Sequence, residues 1–250
     1  MSGHSHWAKV KRGKAVTDAR RGSLWGKLAR RIIVGARAGG GNPAENLMLR
    51  YAIDEARAAN MPNDTIDRAI KKGTGELGVA QYERVVYEGY GPGGVAFLVE
   101  CLTDNRSRTA PELRTVFDRH GGQLAGANSV SWMFHSKGVL LVAAESATED
   151  SLMEIALDAG AEDIRREADG FEVLCDPVNL SRLRQAIEAK KIPVVSAAIT
   201  MVPSTRVPLE GPKAAQVVAL LEALEDHEDV QNVYANFDVP DEVLSRAGKP

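Results

Sequence analysis

Apolar residues recur at helical spacing along the first third of the chain and at strand spacing along much of the rest. Over residues 17–38, at 100° per residue, Leu24, Trp25, Leu28, Ala29 and Ile32 share one side, while Arg20, Lys27, Arg30, Arg31 and Arg37 share the opposite arc. Arg21 and Val34 break the sorting, and Gly22, Gly26 and Gly35 each cost up to ~1 kcal/mol against Ala in a helix interior. After the punctuation Gly39-Gly40-Gly41-Asn42-Pro43, the spacing predicts a second helix over residues 44–59 with Leu49, Ile53 and Ala56 on one face. A third is predicted after Met61-Pro62-Asn63, burying Ile66 and Ile70 and stopping at a left-handed Gly73. Residues 1–16 have no periodicity and read as a flexible basic arm.

Beyond Ala80 the pattern changes. Residues 82–90 and 95–103 read as strands around a Gly/Pro turn, 106–120 as a helix ended by Gly121-Gly122, and 123–134 as a strand or strand pair. Residues 138–143, 148–159, 162–167, 171–175, 177–190 and 193–202 then spell βαββαβ, the split-βαβ, ferredoxin-like order. A Pro-marked linker, 203–212, leads to an apolar helix around 217–224 and a last strand over 230–237. The predicted fold is therefore α+β: a helical domain, 1–79, followed by two ferredoxin-like α/β sandwiches. One of these, 135–206, is inserted in the other, 80–134 plus 207–250, as insertion is tolerated where two chain ends meet at a surface.

Charge adds a partner to that outline through its distribution. The 250 residues carry 31 Lys or Arg against 34 Asp or Glu, formally −3. Ten of the cations, Lys9, Lys11, Arg12, Lys14, Arg20, Arg21, Lys27, Arg30, Arg31 and Arg37, fall in the first 37 residues against Asp18 alone. That segment carries +9, and residues 38–250 carry −12. Clustered cations displace the counterions condensed on a phosphate polymer, which scattered cations do far less well, so a nucleic acid is the expected partner. The competing reading is a solvated tail with no partner. The 44% of hydrophobic residues suffices for real cores. Apolar runs such as 139–144 are too short for a bilayer, and the N-terminus lacks the apolar stretch of a signal peptide, so no membrane partner is expected. Cys101 and Cys175, in separate strand-like runs, read as reduced, packed thiols of a cytoplasmic protein.

Candidate chemistry is sparse. Gly89-Tyr90-Gly91-Pro92-Gly93-Gly94 matches the dinucleotide spacing, but strand residues follow where the fingerprint needs a helix, so a hairpin turn is expected. His4-x-His6 has no Cys or Asp nearby to complete a metal site. His120, His135 and His227 have no nucleophile or carboxylate at motif spacing. No catalytic residue, cofactor or metal is predicted, and the chain reads as a non-enzyme. Thr103-Asp104-Asn105-Arg106-Ser107-Arg108 ends a strand and caps a helix, so Arg106 and Arg108 join the candidate nucleic-acid contacts; the alternative is a capping turn with solvated arginines.

Six blocks in order resemble the YebC family: Gly3-His4-Ser5-x-Trp7, Ala19-Arg20-Arg21-Gly22, Ala59-Asn60-Met61-Pro62, Arg68-Ala69-Ile70-x-Lys72-Gly73, Tyr87-Glu88-Gly89-Tyr90-Gly91-Pro92 and Glu100-Cys101-Leu102-Thr103-Asp104-Asn105-Arg106. The departures are His6, in place of a basic residue, and Ser107, in place of a second Asn. The resemblance implies a cytoplasmic bacterial protein with one helical and two ferredoxin-like domains, described as a DNA-binding transcriptional regulator. Its mitochondrial relatives look like translation activators, and some bacterial members are associated with the ribosome. The expected partner is thus double-stranded DNA, with ribosomal or messenger RNA, or the ribosome itself, as the alternative. A protein partner on the acidic domains is a third reading. No helix-turn-helix stands out in residues 17–72, which counts against tight operator reading.

Overall fold

The structure is a computed structural model describing residues 18–78, 81–167 and 170–239, with the backbone alone for residues 18–21. Three helices come first: α1 (Asp18–Gly39), α2 (Leu47–Ala58) and α3 (Asn63–Thr74). α1 is unbroken despite its glycines, and Gly35 on it and Gly73 on α3 sit at close contacts between helices. A Cβ on Gly35 would meet the Leu49 backbone at 3.2 Å, and one on Gly73 would meet the Ile33 carbonyl oxygen at 2.6 Å. Gly73 therefore serves the crossing of α3 on α1. The helix ends two residues later at Gly75, which takes the left-handed conformation, φ 89°. α2 starts three residues later than the spacing predicts, since Asn46 caps it. The Asn46 side chain accepts from Leu49 N–H at 3.1 Å and donates to the Gly35 and Gly40 carbonyls, tying the end of α1 to the start of α2. Leu28, Ile32, Ile33 and Ala36 pack with Leu49, Ile53, Ala56, Ile66 and Ala69, whereas Leu24 is exposed.

The first sheet has the order β3-β1-β2-β9, built from β1 (Glu83–Tyr90), β2 (Ala96–Thr103), β3 (Gln123–Ala125) and β9 (Val230–Ala235). β1 and β2 form an antiparallel hairpin, Tyr90 opposite Ala96, and the glycine-rich motif is its turn, with Gly93 and Gly94 at positive φ. Helices α4 (Arg106–Arg119) and α7 (Gly211–Asp226) cover one face, where Phe97, Phe117, Leu113, Leu220 and Leu221 are fully buried. The expected strand over 123–134 is three residues long, followed by a turn held by Glu88. That carboxylate accepts from Asn128, Val130 and Ser131 N–H at 2.8, 2.6 and 2.9 Å. Burial pushes Glu88 up, but these bonds prevail and hold it below the usual carboxylate range.

Between β3 and α7 the chain builds the second sheet, order β5-β6-β4-β7: β4 (Phe134–Ala143), β5 (Ala161–Glu167), β6 (Gly170–Cys175) and β7 (Val194–Pro203). Helices α5 (Glu149–Asp158) and α6 (Leu180–Ala189) connect them, and all three pairings are antiparallel. This is the ferredoxin-like order predicted for 135–206. The first sheet reaches a similar two-layer form with a different connectivity, a hairpin and then one split crossover through α4. Two short strands, β8 (Val207–Pro208) and β10 (Phe237–Asp238), pair in parallel beside the first sheet. The helix-free face of that sheet packs through Ala96, Leu98 and Tyr234 on Met133, Phe134 and Met201, which joins the two sheets by apolar contact. Cys101 and Cys175 are buried free thiols. Burial and the charge of Asp229 push the Cys101 thiol up to about 12.

Candidate nucleic-acid interface

The basic side of α1 meets the first sheet. α7 ends at Asp226 with no basic residue in its last turn, so its carbonyl end carries an unanswered partial negative charge. α1 answers it from outside. Lys27 Nζ donates to the Glu225 carbonyl, and Arg30 donates to the Glu228 carbonyl at 2.5 Å. Arg30 also pairs with the Glu228 carboxylate at 3.2 Å and with Asp229 at 3.4 Å, and lies over the Tyr82 ring at 5.9 Å. Arg31 donates to Gln231 at 2.9 Å and pairs with Glu55 at 2.8 Å. Lys27, Arg30 and Arg31, expected to face solvent opposite the apolar arc, form a polar seam between the helices and the sheet. The helical wheel located their side of α1 correctly, but it carries no information about a second element packing on that side.

Asp229 is the centre of the seam. It is 1% exposed, accepts from Arg108 and from the Thr109 hydroxyl at 2.7 Å each, and has Arg30 on its other oxygen. Burial pushes its carboxyl up, yet the Arg108 and Thr109 bonds and the charges of Arg108 and Arg30 prevail and hold it below the usual range. Asn105 caps α4, accepting from Arg108 N–H at 3.2 Å. Arg106 pairs with Glu83 at 2.7 Å, and Arg108 also approaches Asp104 at 3.2 Å. The turn is a capping turn whose guanidiniums hold carboxylates of the chain itself.

Lys9, Lys11, Arg12 and Lys14 lie outside the described residues, as does His4-x-His6, and for Arg20 and Arg21 only the backbone is described. Of the remaining candidates, Arg37 is exposed and bonded to nothing among the described residues. The same holds for the side chains of five cations that the charge count passed over, Arg50 and Arg57 on α2 and Arg68, Lys71 and Lys72 on α3. Glu45, Asp54, Glu55, Asp64, Asp67 and Glu76 nearby in sequence cancel them in any count. The signal was positional: Arg50 and Arg57 flank the predicted outward side of the second helix seven residues apart. Arg57 and Lys71 line a cleft of about 800 Å³ whose apolar lining includes Ile53, Ile66 and Ile70. Tyr51, next to Arg50, is 64% exposed. Among the described residues no three His, Cys, Asp or Glu side chains gather as a metal site, and no helix is long and apolar enough to cross a membrane.

The chain matches the family model for the TACO1/YebC N-terminal domain over residues 5–76 and the model for the second and third domain over residues 82–237. A protein of Dictyoglomus turgidum named "Probable transcriptional regulatory protein" is 50% identical over 98% of each chain. One of Salinispora arenicola with the same name is 52% identical over 99% of this chain and all of its own. The crystal structure of a conserved hypothetical protein from Aquifex aeolicus, 46% identical, superposes with a TM-score of 0.73 over 89% of this chain and 92% of that one.

Proposed function

Because the chain belongs to the TACO1/YebC family, we propose that it is a non-enzymatic, cytoplasmic nucleic-acid-binding regulator, acting on double-stranded DNA in transcription control. The observation that carries this reading is the set of exposed, unpaired cations on the helical unit, Arg37, Arg50, Arg57, Arg68, Lys71 and Lys72, continued in sequence by the cationic residues 9–21. Such contacts position a protein on phosphates without reading sequence. We divide the chain at 1–79, 80–134 plus 207–250, and 135–206, so that the basic helical unit is presented by two acidic sheet units. Names carried by relatives support regulation. Exposed Tyr51 beside Arg50 supports a second reading, ribosomal or messenger RNA, because an aromatic face amid cations stacks unpaired bases.

The test is a titration of one genomic promoter, its scrambled version and purified ribosomes at matched, near-physiological salt. Duplex binding is expected to be modest, to fall with log salt at a slope of roughly −5 for about six phosphate contacts, and to change little on scrambling. A promoter preference of roughly 10³-fold or more would refute phosphate-dominated binding. Ribosome binding far tighter than either duplex would put the translation reading first.

A further inference from the structure

The seam on α1 is built like an anion site already filled. Three cations, Lys27, Arg30 and Arg31, converge from one side of one helix on acceptors of the first sheet. Those acceptors are two carbonyls, the exposed Glu228 carboxylate, buried Asp229 and the side-chain amides of Gln231 and Asn232. No apolar cluster spans the junction among the described residues; the core of the helices stops at Tyr82, and the core of the sheet is its own. The fit is also incomplete. Arg30 Nε, Asp229 Oδ1 and Gln231 Nε2 are buried without a hydrogen-bond partner, and all three lie in this seam. A junction with unmet polar groups and no apolar cluster across it is held mainly by charge.

We infer that Glu228 and Asp229 stand in for phosphate on Lys27, Arg30 and Arg31, so that a polyanion and the first sheet compete for the same three cations. The inference rests on the nucleic-acid reading above for its ligand class. Free polyphosphate or a nucleic-acid backbone offers oxygens spaced along a strand, the arrangement Glu228 and Asp229 offer from adjacent residues. A phosphate chain docking there satisfies Arg30 Nε and displaces the sheet; the helical unit then swings free, and its outer cations and inner cations act together. By linkage, weakening the seam strengthens polyanion binding, and polyanion binding weakens the seam.

The experiment uses the full chain carrying dyes at Glu45→Cys and Lys213→Cys, both exposed positions, while Cys101 and Cys175 are buried. A short duplex, ribosomal RNA and inorganic polyphosphate are titrated at low salt, reading energy transfer between the dyes and binding together. Saturating duplex is expected to lower transfer. Glu228→Gln is expected to raise duplex affinity about three- to tenfold, while Glu210→Gln, which removes the same charge away from the seam, changes it less than about twofold. Asp229→Asn should add to the effect; Glu228, with its side chain 80% exposed, keeps the test decisive where the buried variant fails to fold. Tight duplex binding with transfer unchanged, or a Glu228→Gln affinity no different from Glu210→Gln, overturns the competition and leaves the functional reading intact. If neither duplex nor RNA binds while polyphosphate still lowers transfer, the functional reading fails and the competition stands.

Discussion

The molecule has two junctions of opposite chemistry. The two sheets are joined by Met133, Phe134 and Met201 packed on Ala96, Leu98 and Tyr234, whereas the helical unit is joined to the first sheet by Lys27, Arg30 and Arg31 on carbonyls and carboxylates. An apolar junction is not weakened by charge screening and offers a polyanion nothing to displace, and its strength follows the area it removes from water. A charged one weakens as ionic strength rises and can be bid for by any polyanion. Charge counted in the sequence is therefore not charge available at the surface. Three of the five cations on the basic side of α1, Lys27, Arg30 and Arg31, belong to the fold, and among the described residues of the helical unit the free cations lie on α2, α3 and at the end of α1.

The largest effect should come from breaking the apolar junction. Phe134→Ala is expected to destabilise by about 3–5 kcal/mol in denaturant melts, equally at low and high salt, since Phe134 is only 4% exposed. A salt-dependent loss would show that this junction is not purely apolar. Replacing Arg50, Arg57, Arg68, Lys71 and Lys72 together by Ala should lower duplex affinity by about 10²-fold or more in anisotropy titrations while moving the melting temperature little, because each is a surface change within about ±0.5 kcal/mol. Unchanged binding would assign the affinity to residues 1–21 alone.

Arg30→Ala inverts that pattern. It should cost about 1–2 kcal/mol of stability at low salt and much less in molar salt, because Asp229 keeps Arg108 and Thr109 when Arg30 leaves. A cost that survives molar salt would mean that packing of the arginine stem, and not its charge, holds the seam. Acid should act in the seam through Asp229, and in the turn after β3 through Glu88. Asp229 and Glu88 are both held below the usual carboxylate range in the folded chain. Their stabilisation is thus present above about pH 4 and lost as the pH falls through the folded values. Asp229→Asn should flatten that acid limb in melts followed from pH 6 to 2, and a limb of unchanged slope would remove Asp229 as its source. The smallest effect is expected at Arg37→Ala, with stability unchanged within about ±0.5 kcal/mol and a salt slope shallower by about one unit at most.

Much of the outline was legible in the chain. Helical spacing located three helices and the faces of Leu28, Ile32, Leu49, Ile53 and Ala56, because amphipathic periodicity records which side meets a core. Alternation and turns gave the βαββαβ order of the second sheet. Less legible were positions fixed by long-range contact. Gly73 reads as a helix stop but is a crossing point, and residues 123–134 read as strand but are largely a turn organised by Glu88, 35 or more residues earlier.

The elements, the segregation of positive charge to the first 37 residues and the family are all carried by local spacing and ordered motifs. Which cations are free depends instead on contacts made in the folded molecule. Arg30 and Arg50 are alike in sequence, each an arginine on the polar side of an amphipathic helix. Arg30 meets Glu228 and Asp229, about 200 residues on, and Arg50 meets solvent. An ion pair closes when folding brings two distant segments within a few ångströms, and no local period in the chain encodes that distance.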